Sequence, residues 1–227
     1  VVSSVDNIQI QRGVGSSTNG AGAFGGSINL QTDNVQAIPY GEILTSGGSF
    51  NTFRTTLKAG TGLMKNGWSF DTRLSKINSE GYIDRGSCDL KSWYVSGAWF
   101  GKRTAIKAIA FSGKEITYQS WYGVPQDSLK SNNTFNPAGL YYDATGKIRY
   151  YENQVDNYQQ DYYQLHFLFR GNDNWNFNLA LHATKGLGYY EEYQQGANLS
   201  DYGFDTAATT DLVRRKWLDN WFYGFTY

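Results

Sequence analysis

After Pro39 the chain is dominated by apolar and polar positions that alternate with a period of two. Trp68, Phe70, Thr72 and Leu74 share one face of an extended segment, and Ser69, Asp71, Arg73 and Ser75 share the other. The same pattern sets Trp93, Val95 and Trp99 against Ser96 and Ala98. It sets Tyr163, Leu165, Phe167 and Phe169 against Gln164, His166 and Arg170, and Trp175, Phe177, Leu179 and Leu181 against Asn176, Asn178 and His182. Trp217, Trp221, Tyr223 and Phe225 close the series against Asn220, Gly224 and Thr226. Leu57, Ala59 and Leu63 alternate more loosely, and 104–118 reads as a strand with a weaker pattern. Strict alternation marks strands with one apolar face. About eight such strands are expected in an all-β, antiparallel meander.

The connections alternate in length. Lys65-Asn66-Gly67, Gly101-Lys102-Arg103 and Asn172-Asp173-Asn174 are tight turns, Asn-Gly being a strong hairpin signal. The segments at about 79–90, 119–158 and 190–212 are long loops. Short turns at one end and long loops at the other are the layout of an outer-membrane barrel, whose strands are apolar only on the lipid face. Trp68, Trp99, Trp175 and Trp221 fall where interfacial girdles are expected. Eight strands also suffice to close a small barrel, so strand number alone does not choose between a complete barrel and part of a larger one. Both chain ends fall within patterned sequence and read as truncations.

Composition sharpens this picture. Aromatic residues are 17% of 227, which favours strands. The mean hydropathy of −0.53 is compatible with a barrel whose lumen face is polar. No apolar run reaches the length of a transmembrane helix, and no signal peptide is visible. Twenty basic and twenty acidic residues give a net charge of +0, which argues against nucleic acid as a partner. Cys88 is the lone cysteine, so an intrachain disulfide and a cysteine-only zinc site are excluded.

The opening is different in kind. A strand around Ile8 and Ile10 ends at Arg12-Gly13. A Gly- and Ala-rich stretch follows, containing Gly15, Gly20 and Gly22, with room for one short helical turn. Gly25-Gly26-Ser27-Ile28-Asn29-Leu30 then begins a second strand. This series resembles the end of the plug domain of TonB-dependent outer-membrane receptors. Gly47-Gly48-Ser49-Phe50-Asn51-Thr52 is similar to their first barrel hairpin. About thirty residues carry the motif, and the remainder resembles the family in pattern.

The resemblance implies a plug remnant over residues 1–34 and the N-terminal part of a large transmembrane barrel over 35–227, in the outer membrane of a Gram-negative bacterium. It implies uptake of a scarce, bulky nutrient driven by the TonB complex through a segment not in this chain, with no enzymatic activity. Outer-membrane lipid, the TonB complex and a small-molecule chelate are then the expected partners. A ferric siderophore or similar metal chelate is the expected cargo, and no cofactor is implied. The opening lacks the Tyr-Gly-Ser-Arg-Gly type of ending found in some glycan receptors of the family, which favours the siderophore-like branch. Arg12, Gly13, Gly15, Gly20, Gly22, Gly25 and Gly26 are the plug positions. Arg12 is placed to pair with lumenal carboxylates, and the glycines permit turns and close backbone approach.

The loop at 119–158 is the candidate ligand surface. Trp121, Tyr122, Tyr141, Tyr142 and Arg149 combine aromatic and cationic character suited to an aromatic, anionic chelate. Loop–loop packing is the competing role for these tyrosines. His166 and His182 fall on polar faces of neighbouring strands, as part of a ligand path or as ordinary hydrogen-bonded imidazoles; two histidines alone make a weak metal site. Asp71 and Arg73 are expected as solvated or paired lumen charges, and Glu191-Glu192 as solvated loop carboxylates. Gly20-Ala21-Gly22-Ala23-Phe24-Gly25 matches a dinucleotide fingerprint, but a strand follows it where a helix is required. Three alternatives stay open: a passive porin or small complete barrel, a receptor for cobalamin or glycans, and a soluble sandwich with aromatic ligand contacts.

Overall fold

The computed structural model describes residues 5–13, 25–32, 35–172 and 175–226. Among them the secondary structure is nearly all β. Strands β1 (Val5–Arg12) and β2 (Gly26–Thr32) form a two-stranded antiparallel sheet of their own. Ile8 lies opposite Leu30 and Ile10 opposite Ile28. Gly13 closes the end of this sheet at φ +77 with a backbone bond to the Gly25 carbonyl. Gly26, at φ +153, lies so close to the backbone that a Cβ there would stand 2.9 Å from the Gln11 carbonyl oxygen, which explains the glycine. Gly15, Gly20, Gly22 and the helical turn expected at 16–24 lie outside the described residues.

The main sheet begins with β3 (Tyr40–Gly48), β4 (Thr52–Gly60), β5 (Trp68–Ser79), β6 (Cys88–Phe100) and β7 (Thr104–Tyr118). A small hairpin, β8 (Leu140–Tyr142) and β9 (Ile148–Tyr150), interrupts the meander. It resumes with β10 (Val155–Asn172), β11 (Trp175–Asn198) and β12 (Thr209–Thr226). The order across the sheet is β12-β11-β10-β7-β6-β5-β4-β3, every pair antiparallel. Among the described residues β3 and β12 are edges and do not pair, so this is a section of wall and not a closed eight-stranded barrel.

Three turns at one end are short, as expected; the first is closed by a Gly67 N–H to Met64 carbonyl bond at 2.9 Å. At the other end the loops are shorter than their sequence suggests. Strand pairing trims them to 80–87, 119–154 and 199–208. The largest correction is at 190–212, where β11 continues through Glu191, Glu192 and Tyr193 to Asn198. One tight turn also lies at the long-loop end, where Phe50 and Asn51, both at positive φ, join β3 to β4. A register shift sets Trp217 opposite Gly188 and Trp221 opposite Lys185, which breaks the unbroken alternation expected at 217–226.

Burial is reversed relative to a water-soluble sheet. On β5, Ser69, Asp71 and Arg73 are 1%, 9% and 1% exposed, while Phe70 and Leu74 are 46% and 53% exposed. Register carries this division across the wall. One face bears Trp68/Trp99/Ile106/Phe167, Phe70/Gly97/Ala108/Leu165 and Thr72/Val95/Ala110/Tyr163. The other bears Asp71/Ser96/Ile109/Gln164 and Ser69/Ala98/Lys107/His166. Side chains crowd on the polar face and are splayed on the apolar one, which makes the polar face the inner side of a curved wall. The exposed apolar band is far too continuous for a face in contact with water.

Candidate functional site

Two features on the inner side and at its long-loop end carry polar and aromatic chemistry. The first is a strip of the inner wall. Register aligns Lys58, Arg73, Tyr94, Phe111 and Tyr162, and two rows nearer the loops on the same face Arg54, Ile77, Leu90, Glu115 and Tyr158. Phe111 and Tyr162 stack with centroids 4.5 Å apart and planes 13° from parallel, and Tyr94 continues the series 6.3 Å from Phe111. Arg54, Ile77, Phe111, Tyr158 and Tyr162 line an open cleft of about 520 Å³. Lower on the wall the Tyr40 hydroxyl donates to Asp71 at 3.0 Å, so Asp71 is a hydrogen-bonded carboxylate on the inner face.

The second feature is a canopy of loops locked by buried polar groups. Asn136, 1% exposed, donates to the carbonyls of Gln119 (2.9 Å) and Asp84 (3.1 Å) and accepts from the Ala138 N–H (3.0 Å). Arg85 donates to the Asn136 carbonyl and lies 3.6 Å over the Tyr150 ring. The Tyr118 hydroxyl donates to the Tyr151 carbonyl at 2.8 Å. Asp84 accepts from the Thr134 hydroxyl at 2.6 Å, which holds its carboxyl below the usual range. Glu191 ties the canopy to the wall: its carboxylate accepts from Tyr151, Asn153 and Arg214. Burial alone would push the Glu191 carboxyl up; these three donors together hold it below its ordinary value. Glu191 is 5% exposed and Glu192 9%, which corrects the expectation of solvated loop carboxylates: both stand on a paired strand beyond the apolar band.

The sequence-derived residues distribute as follows. Trp121, Tyr122 and Tyr142 are exposed on the canopy, Trp121 meeting Tyr122 and Tyr190 edge-on at 6.4 and 6.3 Å. Tyr141 packs against Tyr193 of β11 at 4.4 Å. Arg149 is paired with Asp143 at 3.0 Å. Asp143 also accepts from Thr145 and from the Lys147 N–H, which depresses its carboxyl far below the ordinary value. His166 and His182 both face inward on adjacent strands. Gln164 lies opposite His182, and His166 opposite Ala180, so the imidazoles are diagonal neighbours, typically about 7–8 Å apart in such a pair. The His166 ring is 3.3 Å from the Gln164 side-chain oxygen. Among the described residues no cluster of three metal-ligating side chains occurs. Arg12 is exposed on β1. Sequence reading missed Arg85, Gln119, Asn136 and the wall strip of Arg54, Phe111, Tyr158 and Tyr162. Tyr158 and Tyr162 had a signal: both fall on the mostly polar face of their strand, with Gln160, Gln164 and His166.

An antiparallel wall with a polar inner side and an apolar outer side defines the class: part of a large β-barrel. No family model and no curated protein matches the sequence, whereas solved structures do. The chain superposes on the siderophore receptor PiuA from Acinetobacter baumannii with a TM-score of 0.65 at 16% identity, covering 84% of this chain and 27% of that one. The ferric-catecholate import receptor Fiu from E. coli K12, open form, gives 0.67 at 15% identity, over 86% of this chain and 31% of that one. The ferripyoverdine receptor of the Pseudomonas aeruginosa outer membrane gives 0.63 at 12%, over 84% and 25%. The chain therefore has the fold of a section of these receptors' barrels and spans between a quarter and a third of their length.

Proposed function

We propose that this chain is the plug end and the first wall strands of a TonB-dependent receptor that imports a ferric siderophore or similar chelate across the outer membrane. On this reading residues 1–34 belong to the plug and 35–227 to the barrel. The observation that carries it is the reversed burial of the wall, in which Arg73 is buried on the inner side and Leu74 exposed on the outer. Such a strand suits lipid outside and a packed polar lumen inside. The separate β1–β2 sheet, built on the Arg12-Gly13 and Gly25-Gly26 motif, supports a plug. The unpaired edges of the wall favour a large barrel over a small complete one.

The inner strip supplies what an aromatic, anionic chelate needs: ring faces at Phe111, Tyr158 and Tyr162 and the guanidinium of Arg54. Trp121, Tyr122 and Tyr142 on the canopy offer a first contact from outside. Arg149, neutralised by Asp143, contributes little charge to that contact, and His166 and His182 line the path below. The test is uptake of a labelled ferric siderophore by cells carrying the full-length gene, before and after the proton-motive force is collapsed. Saturable uptake abolished by the collapse supports the reading; uptake indifferent to it makes the protein a passive pore.

A further inference from the structure

We propose that Lys76, Lys91 and Lys114 form a site for the phosphate groups of an anionic lipid in the leaflet beside the long loops. The inference rests on the outer face of the wall meeting the membrane. Lys76 lies directly opposite Lys91, and Lys91 directly opposite Lys114, on three neighbouring strands. All three side chains are exposed on the outer face, three or four residues short of the loop ends of their strands. Like charges set opposite each other destabilise a sheet, so strand pairing gives no reason for the row. Compensation within the chain is partial. Asp89 pairs with Lys91 at 3.0 Å, and among the described residues Lys76 and Lys114 have no ion pair. Asp161, diagonal to Lys114 across β7 and β10, accepts from Ser112 and Gln159.

In the next row toward the short turns Leu57, Leu74 and Trp93 stand side by side, followed by Ser112 and Asp161. These three and the lysines border one shallow hollow of about 430 Å³. A ligand filling it would lay hydrocarbon on Leu57, Leu74 and Trp93 and bring negative groups to the ammonium ions. Lysine stems can lie along the apolar band while their heads stay at the polar level. Three strands span roughly 10 Å, which suits a headgroup with more than one phosphate over a single charged oxygen. The geometry thus selects a phosphorylated amphiphile, and the leaflet is its source.

The experiment uses the whole protein carrying this chain, inserted into phosphatidylcholine vesicles with or without bis-phosphorylated lipid A. Binding is read from lipid retained after detergent extraction and from Trp fluorescence. The variants are the triple Lys76→Gln/Lys91→Gln/Lys114→Gln and the corresponding triple arginine. At about fivefold per basic side chain near an anionic surface, the glutamine triple should bind lipid A about a hundredfold more weakly, and the arginine triple should keep its affinity. Equal retention by the native protein and the glutamine triple, with both inserted, overturns the proposal. So does protection from lipid A by inorganic phosphate alone at equal phosphate concentration, which would mark a free-anion site. Failure of the native protein to insert into any vesicle contradicts the membrane reading itself, an outcome distinct from insertion without lipid A preference.

Discussion

Replacing Glu191 by alanine should release the loop canopy while leaving the wall intact. The Glu191 carboxylate is buried and accepts from Tyr151 and Asn153, which lie 40 and 38 residues away in sequence. Each bond to an ionised acceptor stabilises by about 1.5 kcal/mol or more, so their joint loss should cost the closed canopy about 3 kcal/mol. The Arg214 contact adds nothing to this sum, because that side chain is largely in water. Three kcal/mol corresponds to about a hundredfold in the local opening equilibrium. The assay is amide hydrogen exchange on the protein in detergent micelles. Amides of Gln119, Tyr151 and Tyr193, bonded to Gln154 and Gly139 groups, should exchange about a hundredfold faster. Amides within β5 and β6 should not change, since canopy opening is local. An acceleration below about threefold, or one spread evenly over the wall, would refute the argument that Glu191 joins the two.

Other outcomes follow from the same geometry. Because the Glu191 carboxyl is held below its ordinary value of 4.5, its stabilisation is complete above that pH and is lost as pH falls through the depressed value. Protection factors of the canopy amides, corrected for intrinsic exchange, should therefore fall as pH drops from about 4.5 through the depressed value, and the Glu191→Gln variant should show a smaller fall, the remainder coming from Asp84. Asn136→Ala, which orphans three buried backbone groups, should loosen the 119–154 segment by about 2–3 kcal/mol, measured by protease susceptibility of that loop. Leu74→Arg, on the outer face one row from the lysines, should destabilise the folded protein in lipid by about 1–2 kcal/mol, while Ser75→Arg, facing inward, should cost less; urea unfolding in vesicles compares them. Phe111→Ala and Tyr162→Ala should each weaken binding of an aromatic ferric chelate about tenfold, a base-stacking-sized loss seen by fluorescence titration.

The faces of the wall were legible because alternation is a local property. Trp68 to Ser75 states both sides of β5 in eight residues, and the short turns carry Gly and Asn at the expected places. The loop end was less legible. Glu191, Glu192 and Tyr193 show no alternation, and their pairing with Arg214, Val213 and Leu212 is set by residues some twenty positions away. Burial of Glu191 depends on donors from another loop, a coincidence no short window contains. Phe111 and Tyr162 stack only because register brings two strands together across a 36-residue insertion at 119–154, and register is not written in either strand alone. The plug motif was legible as sequence, and Gly13 and Gly26 show the turn and the close backbone approach that require glycine.

The most direct test of the inside-out wall is a cysteine scan of residues 68–75 in the whole protein, with Cys88 replaced by serine, inserted into lipid vesicles and spin-labelled one position at a time. Collision with oxygen dissolved in the bilayer should be high at Trp68, Phe70, Thr72 and Leu74, and low at Ser69, Asp71, Arg73 and Ser75. A uniform response, or the opposite phase, would contradict a lipid-facing apolar side and with it the barrel account.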